Sequence, residues 1–421
     1  MAHNHPLDHA AVSGPENPVA GASKAIATRP FKAQLPIIFV VRTTVNTAVR
    51  LVYPFLPSIA RGLGISLAAA SQLVTLRMVG GMAAPLLGLL ADRYGRRRVM
   101  EVALLLFALA GLLLAGLGTL GAAAVAFTLY GFAKALYDPA VHAYLGDEVP
   151  YDERGRAVGI VELSWSSAWL LGVPASGVLI ERFGWRAPWA ALIVLGLAGL
   201  GLTRAILPPA HRAAGRERTR SLLASVVATW RDLLRRRSVL VLLATSFLLT
   251  SAIEIPFIVY GAWLETAFGL SLSTLGLAST VVGVAEAAAE FGTAVITDRL
   301  GKKRSVLVGL LGLAASLVAL PWLSRLGLVA ALAGVMLMLL NFEFGIVSLL
   351  PLATELAPES RASLFSLTVT AFSLSRVIAA LVGGWLWQWQ NIALHAGVGA
   401  LCALVGALLL VWGMVEIGSD P

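Results

Sequence analysis

The chain has 421 residues, 58% of them hydrophobic and only 13% charged, where a soluble domain carries about 25% charged. That balance excludes an ordinary water-soluble fold, because the apolar surplus must face lipid. The net charge of +9 lies in short clusters between apolar runs, a membrane-topology pattern that excludes a nucleic-acid-binding face.

Residues 1–35 are polar and hold His3, His5 and His9. They lack an apolar core behind a basic start, so a disordered tail without a cleavable signal is expected, and the histidines belong to that tail rather than to a metal site. Apolar runs of about 20 residues, enough to cross the hydrocarbon core, follow at 36–59, 67–91, 98–117, 121–146, 156–180 and 186–206, then at 239–264, 272–296, 304–323, 328–354, 362–388 and 391–414. Backbone groups in lipid must bond within their own segment, and these Leu/Ala/Gly runs show no period-two alternation. The twelve spans are therefore helices, not barrel strands.

Segment 207–238 divides the chain into two sets of six, 36–206 and 239–414, and 415–421 is a short tail. It opens at Pro208-Pro209 and carries Leu222, Leu223, Val226, Val227, Trp230, Leu233 and Leu234 as a stripe flanked by arginines. An amphipathic helix on the membrane surface is expected there. With the N-terminus inside, cytoplasmic segments hold 23 of the 32 Lys and Arg residues, while Arg61, Arg182, Arg186 and Arg325 lie opposite. That asymmetry places both termini in the cytoplasm. Cys402 is the single cysteine and lies inside the twelfth span, so no intrachain disulfide and no cysteine metal site can form.

The two sets of six repeat each other. Gly88-Leu-Leu-Ala91-Asp92-Arg93-Tyr94-Gly95-Arg96-Arg97-Arg98 follows the second span, and Ala294-Val-Ile-Thr297-Asp298-Arg299-Leu300-Gly301-Lys302-Lys303-Arg304 follows the eighth. The Asp-Arg-x-Gly-basic-basic core recurs at an offset of 206, as do Gly177 and Gly383. Duplicated halves are a transporter signature.

On these residues the chain resembles the major facilitator superfamily over about 36–414. The resemblance implies an all-α polytopic fold of twelve transmembrane helices in two pseudo-symmetric halves, in a bacterial-type inner membrane. It further implies a gating latch built from Gly88, Asp92, Arg93, Gly95, Arg96 and Arg97, with Asp298, Arg299 and Gly301 as the second copy. The fifth span reads Val173-Pro174-Ala175-Ser176-Gly177-Val178, with Gly172 before it, and resembles the Gly-Pro-x-x-Gly-Gly stretch of the drug/proton antiporter branch. The arginine which that branch carries in helix 4, four residues before a glycine, is replaced by Phe127 before Gly131.

A charge at the centre of a spanning helix costs about 2.5–3.5 kcal/mol, so deep charges require partners or a purpose. They are Arg42, Arg50, Arg77, Lys134, Asp138, Glu254, Glu286, Glu290, Glu343 and Arg376, with Glu162 shallower. Spans 3, 6, 9 and 12 carry none near their centres, which in the family fold are the outermost helices.

Asn46, Arg50, Tyr53, Lys134, Tyr137, Asp138, Glu254, Asn341, Glu343 and Arg376 are the candidate substrate-binding set, several beside prolines that free backbone groups. Two pairings compete with that role: Lys134 with Asp138 one turn apart, and Arg376 with Glu343. Glu286 and Glu290, one turn apart in low dielectric, either share a proton or are neutralised by Arg77 or another cation across the halves. They head the proton-coupling candidates, ahead of Asp138, Glu254 and Glu343. The tryptophans at span ends, Trp185, Trp189, Trp263, Trp322, Trp385, Trp387 and Trp389, read as interfacial anchors.

Gly116-Leu-Gly118-Thr-Leu-Gly121 matches a dinucleotide fingerprint but follows no strand, and no phosphate-binding loop or nucleophile motif is present. The chain is therefore expected to be no enzyme and to need no cofactor. The function expected is proton-coupled antiport of a small organic, zwitterionic or amphiphilic solute by a monomeric carrier in the bilayer. The alternatives are uptake or flipping of a lipid-like solute whose anionic group is held by the N-half cations and, outside the class, a non-transporting sensor or an intramembrane enzyme.

Overall fold

The computed structural model describes residues 31–82, 87, 94–207 and 228–414, and no strand occurs among them. In chain order the helices are α1 (Gln34–Arg50 with Val52–Leu63), α2 (Leu67–Met82), α3 (Arg96–Gly116), α4 (Leu120–Glu148), α5 (Glu153–Phe183) and α6 (Ala187–Ile206). The second half repeats the series as α7 (Arg237–Phe268), α8 (Leu272–Ala278 with Thr280–Leu300), α9 (Lys302–Arg325), α10 (Leu328–Leu356), α11 (Arg361–Leu386) and α12 (Ile392–Gly413). Helices α3 to α12 are each long and apolar enough to span, and α1 makes an eleventh when its bent pair counts as one. The twelfth is α2, whose continuation toward α3 lies outside the described residues.

Local chemistry explains the irregular helices. α1 bends by 56° at Leu51. Pro54 has no N–H for the Arg50 carbonyl, and its ring crowds that oxygen. In α5 a π-helical turn, Ala168–Gly172, precedes Pro174, absorbing the bond that the proline cannot make. Both deformations sit beside the central cavity.

The internal repeat is visible in the backbone. Gly95 has φ 92° and ψ 142°, and Gly301 has φ 84° and ψ 145°. Residues with a Cβ avoid that region, so glycine is needed at the start of both α3 and α9. The next residue in each half then reaches an acidic partner at the far end of the neighbouring helix. Arg96 Nε lies 3.1 Å from Asp147 Oδ2, and Lys302 pairs with Glu355.

α3, α6, α9 and α12 present exposed apolar rows, such as Val102, Leu105, Leu109 and Leu112 on α3 and Leu401, Leu404 and Leu408 on α12. These are the lipid-facing helices, matching the expectation from their lack of deep charge. Of the tryptophans, Trp322, Trp385 and Trp389 are exposed, but Trp189 and Trp263 are buried. The Trp189 ring lies tilted against Phe127 and Tyr130, with ring centroids 6.3 and 5.6 Å away. Trp189 is a core residue, not an anchor, because Phe127 and Tyr130 of α4 close over it.

Among the described residues, the halves meet chiefly at the end opposite Phe31 and Met414, here called the distal end. There the second segment of α1 meets the end of α7, the end of α5 meets the start of α8, and α2 packs on α11. Glycines permit this approach. A Cβ on Gly261 would overlap the Pro54 backbone, and one on Gly177 would sit 2.5 Å from the Leu272 carbonyl oxygen. Arg61 Nη1 bonds Glu265 Oε1 at 2.8 Å, and Glu181 Oε2 accepts the Ser273 N–H at 2.7 Å. The second contact places a carboxylate on the N-terminal turn of α8, where the helix dipole favours it.

At the other end, Arg236 Nη1 lies 2.7 Å from Glu359 Oε1, tying the start of α7 to the turn before α11. Hydrogen bonds from its own backbone N–H and from Arg236 hold the Glu359 carboxyl below the usual carboxylate range. Most of the expected amphipathic stripe lies outside the described residues. Residues 228–233 are helical, and Leu233 is buried.

Candidate functional site

A cavity of about 480 Å³ lies between the halves at mid-depth. α1, α2, α4 and α5 form one wall, and α7, α8, α10 and α11 the other.

The first wall contains a self-neutralising cluster. Lys134 Nζ donates at 2.7 Å to Asp138 Oδ2, one helical turn on, and at 2.7 Å to Asn46 Oδ1. Asn46 Nδ2 in turn donates to Ser164 Oγ at 3.0 Å. Behind them Arg42, 2% exposed, lies 3.4 Å from Asp138 and 3.1 Å from Glu162. It also donates to the Val161 carbonyl at 2.9 Å. Two cations thus face two carboxylates, as buried charge requires. Arg42 is therefore an anchor of the cluster.

At the cavity, two carboxylates of the second half are bound by side chains of the first. Arg50 Nη2 bonds Glu286 Oε1 at 2.6 Å, and Trp169 Nε1 donates to the same oxygen at 3.2 Å. Tyr53 donates to Glu254 Oε1 at 2.7 Å. The Arg50 guanidinium lies 4.5 Å from the Trp165 ring centroid, and Lys134 Nζ lies 3.9 Å from it. Trp165 is thus a platform for two cations.

The candidates divide by placement. Arg50, Tyr53, Lys134, Asp138, Glu254, Glu343 and Arg376 line the cavity. Asn46 supports Lys134 from behind it. Tyr137 is buried away from the cavity, and Asn341 bonds Ser316 Oγ at 3.2 Å on α9, so its amide serves helix packing. Arg376 Nε sits 3.9 Å from Glu254 Oε2. Of the acidic pair, Glu286 takes its cation from Arg50, and the Glu290 side chain lies outside the described residues.

Of the gating residues, Gly88, Asp92, Arg93 and the Asp298 side chain lie outside the described residues, and Arg299 is exposed. Arg97 bonds Glu101 at 2.9 Å and the Leu207 carbonyl at 2.7 Å. Among the described residues no group of three His, Cys, Asp or Glu could hold a metal.

Sequence reasoning passed over Trp165 and Trp169, and named Arg77 as a deep charge and a possible partner of the acidic pair but not as a cavity-lining residue. The signal for the two tryptophans was present: Glu162, Trp165 and Trp169 fall at i, i+3 and i+7 on one helical face.

A family model described as the Major Facilitator Superfamily matches residues 38–264 and 242–416. The chain belongs to this superfamily. Its members are membrane transporters, not enzymes, and so is this major facilitator.

It is 30% identical to the lysophospholipid transporter LplT of Citrobacter koseri over 360 residues, covering 78% of this chain and 82% of that one. It is 27% identical to the class C tetracycline resistance protein of Escherichia coli over 284 residues, covering 65% and 70%. It is 26% identical to the uncharacterized MFS-type transporter YceJ of Bacillus subtilis, covering 84% and 88%.

Solved structures share the fold. The inward-open xylose transporter XylE from E. coli superposes with a TM-score of 0.69 at 16% identity, covering 92% of this chain and 97% of that one. A peptide transporter bound to alafosfalin gives 0.73 at 16%, covering 90% and 93%.

Proposed function

We propose that this major facilitator is a proton-linked carrier that exports a small zwitterionic or amphiphilic organic solute. Residues 36–206 rock against 239–414 about the central cavity. The basic-residue asymmetry supports cytoplasmic termini in a bacterial inner membrane, so the conformer closed at its distal end faces inward. The chain acts as a monomer.

The observation that carries this reading is the pair of acid-bearing links across the halves, Arg50–Glu286 and Tyr53–Glu254, at the cavity wall. Protonating either carboxylate changes a contact between the halves, which couples proton binding to the facing equilibrium. Antiport is favoured by the Pro174–Gly177 stretch, whose Gly177 lies in the distal interface.

The test is transport in proteoliposomes under an imposed pH gradient. Glu286→Gln and Glu290→Gln should each weaken proton-driven transport while sparing substrate counterflow, which needs no net proton movement. If both variants retain full pH-driven transport, the proton site moves to Asp138, Glu254 or Glu343. The gating role of Asp92 and Arg93 belongs to the same proposal.

The second reading is uptake or flipping of a lipid-like solute. It is favoured by Leu339, Phe342 and Ile346, which α10 brings to the cavity beside Glu343, and by the similarity to a relative described as a lysophospholipid transporter.

A further inference from the structure

The cavity charges are not all satisfied by hydrogen bonds. The first-wall cluster is balanced, and Arg50 is matched by Glu286. Around Glu254 the balance differs. Arg376 lies 3.9 Å from one of its oxygens, within ion-pair range but beyond a hydrogen bond, and its Nε has no hydrogen-bond partner. Tyr53 occupies the other oxygen.

Arg77, only 4% exposed, lies within electrostatic reach of the same carboxylate. It leans over the Tyr53 ring at 5.7 Å and donates through Nη1 to the Val49 carbonyl at 2.9 Å. Its Nη2 is buried on the cavity wall with no hydrogen-bond partner. Arg77 and Arg376 share this part of the cavity with two carboxylates, Glu254 and Glu343, yet each guanidinium still holds a nitrogen without a hydrogen-bond partner. A buried donor left in that state is costly. An acceptor that bridges both guanidiniums offsets this cost, and a guanidinium matches the oxygens of a carboxylate or phosphate. Beside them Leu339, Phe342 and Ile346 fall at i, i+3 and i+7 on α10 and line the same cavity, an apolar strip bordered by Glu343.

We propose that Arg77 and Arg376, one from each half, form a subsite for the anionic group of the transported solute, a carboxylate or phosphate, whose apolar body lies along Leu339, Phe342 and Ile346. This rests on the carrier reading for the word transported, but not for the binding. An anion held by both arginines draws the halves together, so the charge is read only when the site closes.

The test is binding by the full chain in lipid nanodiscs, using octyl phosphate and octanoate against octyltrimethylammonium and inorganic phosphate. The two octyl anions should raise the unfolding temperature saturably and the cation should not. Inorganic phosphate should bind more weakly than octyl phosphate, because it lacks the apolar body. Arg376→Gln and Arg77→Gln should each weaken octyl phosphate binding about tenfold or more, the loss of a charge-assisted hydrogen bond. Arg376→Lys should recover part of it.

Arg77 is buried, so loss of binding in its variant is read only where the variant folds, and Arg376→Gln on the more accessible side chain serves as the independent arm. Equal binding of octyl phosphate to wild type and Arg376→Gln overturns the subsite, as does preference for the cation. Inorganic phosphate binding as tightly as octyl phosphate overturns the apolar half of the proposal. Counterflow separates this from the carrier reading. Binding that follows both arginines without counterflow of octyl phosphate sinks the carrier and leaves the subsite. Counterflow of the cation without anion binding does the reverse.

Discussion

The Arg50–Glu286 pair gives the sharpest energetic test. Its 2.6 Å contact joins the halves, and the two side chains are only 17% and 6% exposed. Removing one partner of such a pair strands the other charge in a poorly solvated site, at about 3–5 kcal/mol. The strandings are unequal. Arg50 left alone keeps the Trp165 and Trp169 rings at 4.5 and 5.3 Å, contacts each worth about 0.5–2 kcal/mol. Glu286 left alone keeps the Trp169 N–H at 3.2 Å as its one hydrogen bond, with the Arg376 charge farther off.

Arg50→Met should therefore be the more destabilising single change, and Glu286→Leu the milder. The double variant strands nothing. Its loss should fall below the sum of the singles by about 3 kcal/mol, the coupling of a double-mutant cycle. Reversible denaturant unfolding in mixed micelles, followed by tryptophan fluorescence, supplies the four stabilities. Additivity within about 0.5 kcal/mol would refute the pair as a buried electrostatic link, whatever transport shows.

Other expectations are independent of that pair. Cys402, half-buried on α12, should resist a water-soluble maleimide in intact membranes, and rapid labelling without detergent would contradict the span. Gly261→Val adds a Cβ where the Pro54 backbone lies, and overpacking of about 1–3 kcal/mol should tilt the protein toward the distal-open form. In a Cys402→Ala background, a reporter cysteine at buried Ser58 should then label about tenfold faster, and an unchanged rate would argue that the distal contact bears no load. Asp92→Asn should lower transport while leaving ligand binding largely intact, and loss of binding with unchanged domain motion would assign Asp92 to the site instead.

Much of the fold was legible because lipid imposes strict rules. Span count, the duplicated halves and the lipid-facing set α3, α6, α9 and α12 follow from apolar run length, the offset between Gly95 and Gly301 and the absence of deep charge. The site was legible in composition but not in pairing. Lys134 and Asp138 could be matched because they share one helix face. The partners of Arg50, Tyr53 and Arg42 lie 236, 201 and 96 residues away, and no local period reports such a contact. Asn341 and Tyr137 were polar residues on cavity helices, yet a helix has several faces. Their actual orientation depends on where α9 and α4 pack. Trp189 misled for a related reason: a tryptophan near a span end anchors at the interface only if no neighbouring helix covers it.

The central claim is that the halves rock about the cavity, and paired spin labels test it most directly. In a Cys402→Ala background, one pair at Ser66 and Ala267 reports the distal end across the halves. A second at Glu148 and Arg361 reports the end that carries the termini. All four side chains are exposed. When pH is changed under transport conditions, double electron–electron resonance should show the first distance lengthening as the second shortens. Two distances that stay fixed, or that lengthen together, would contradict alternating access in this chain.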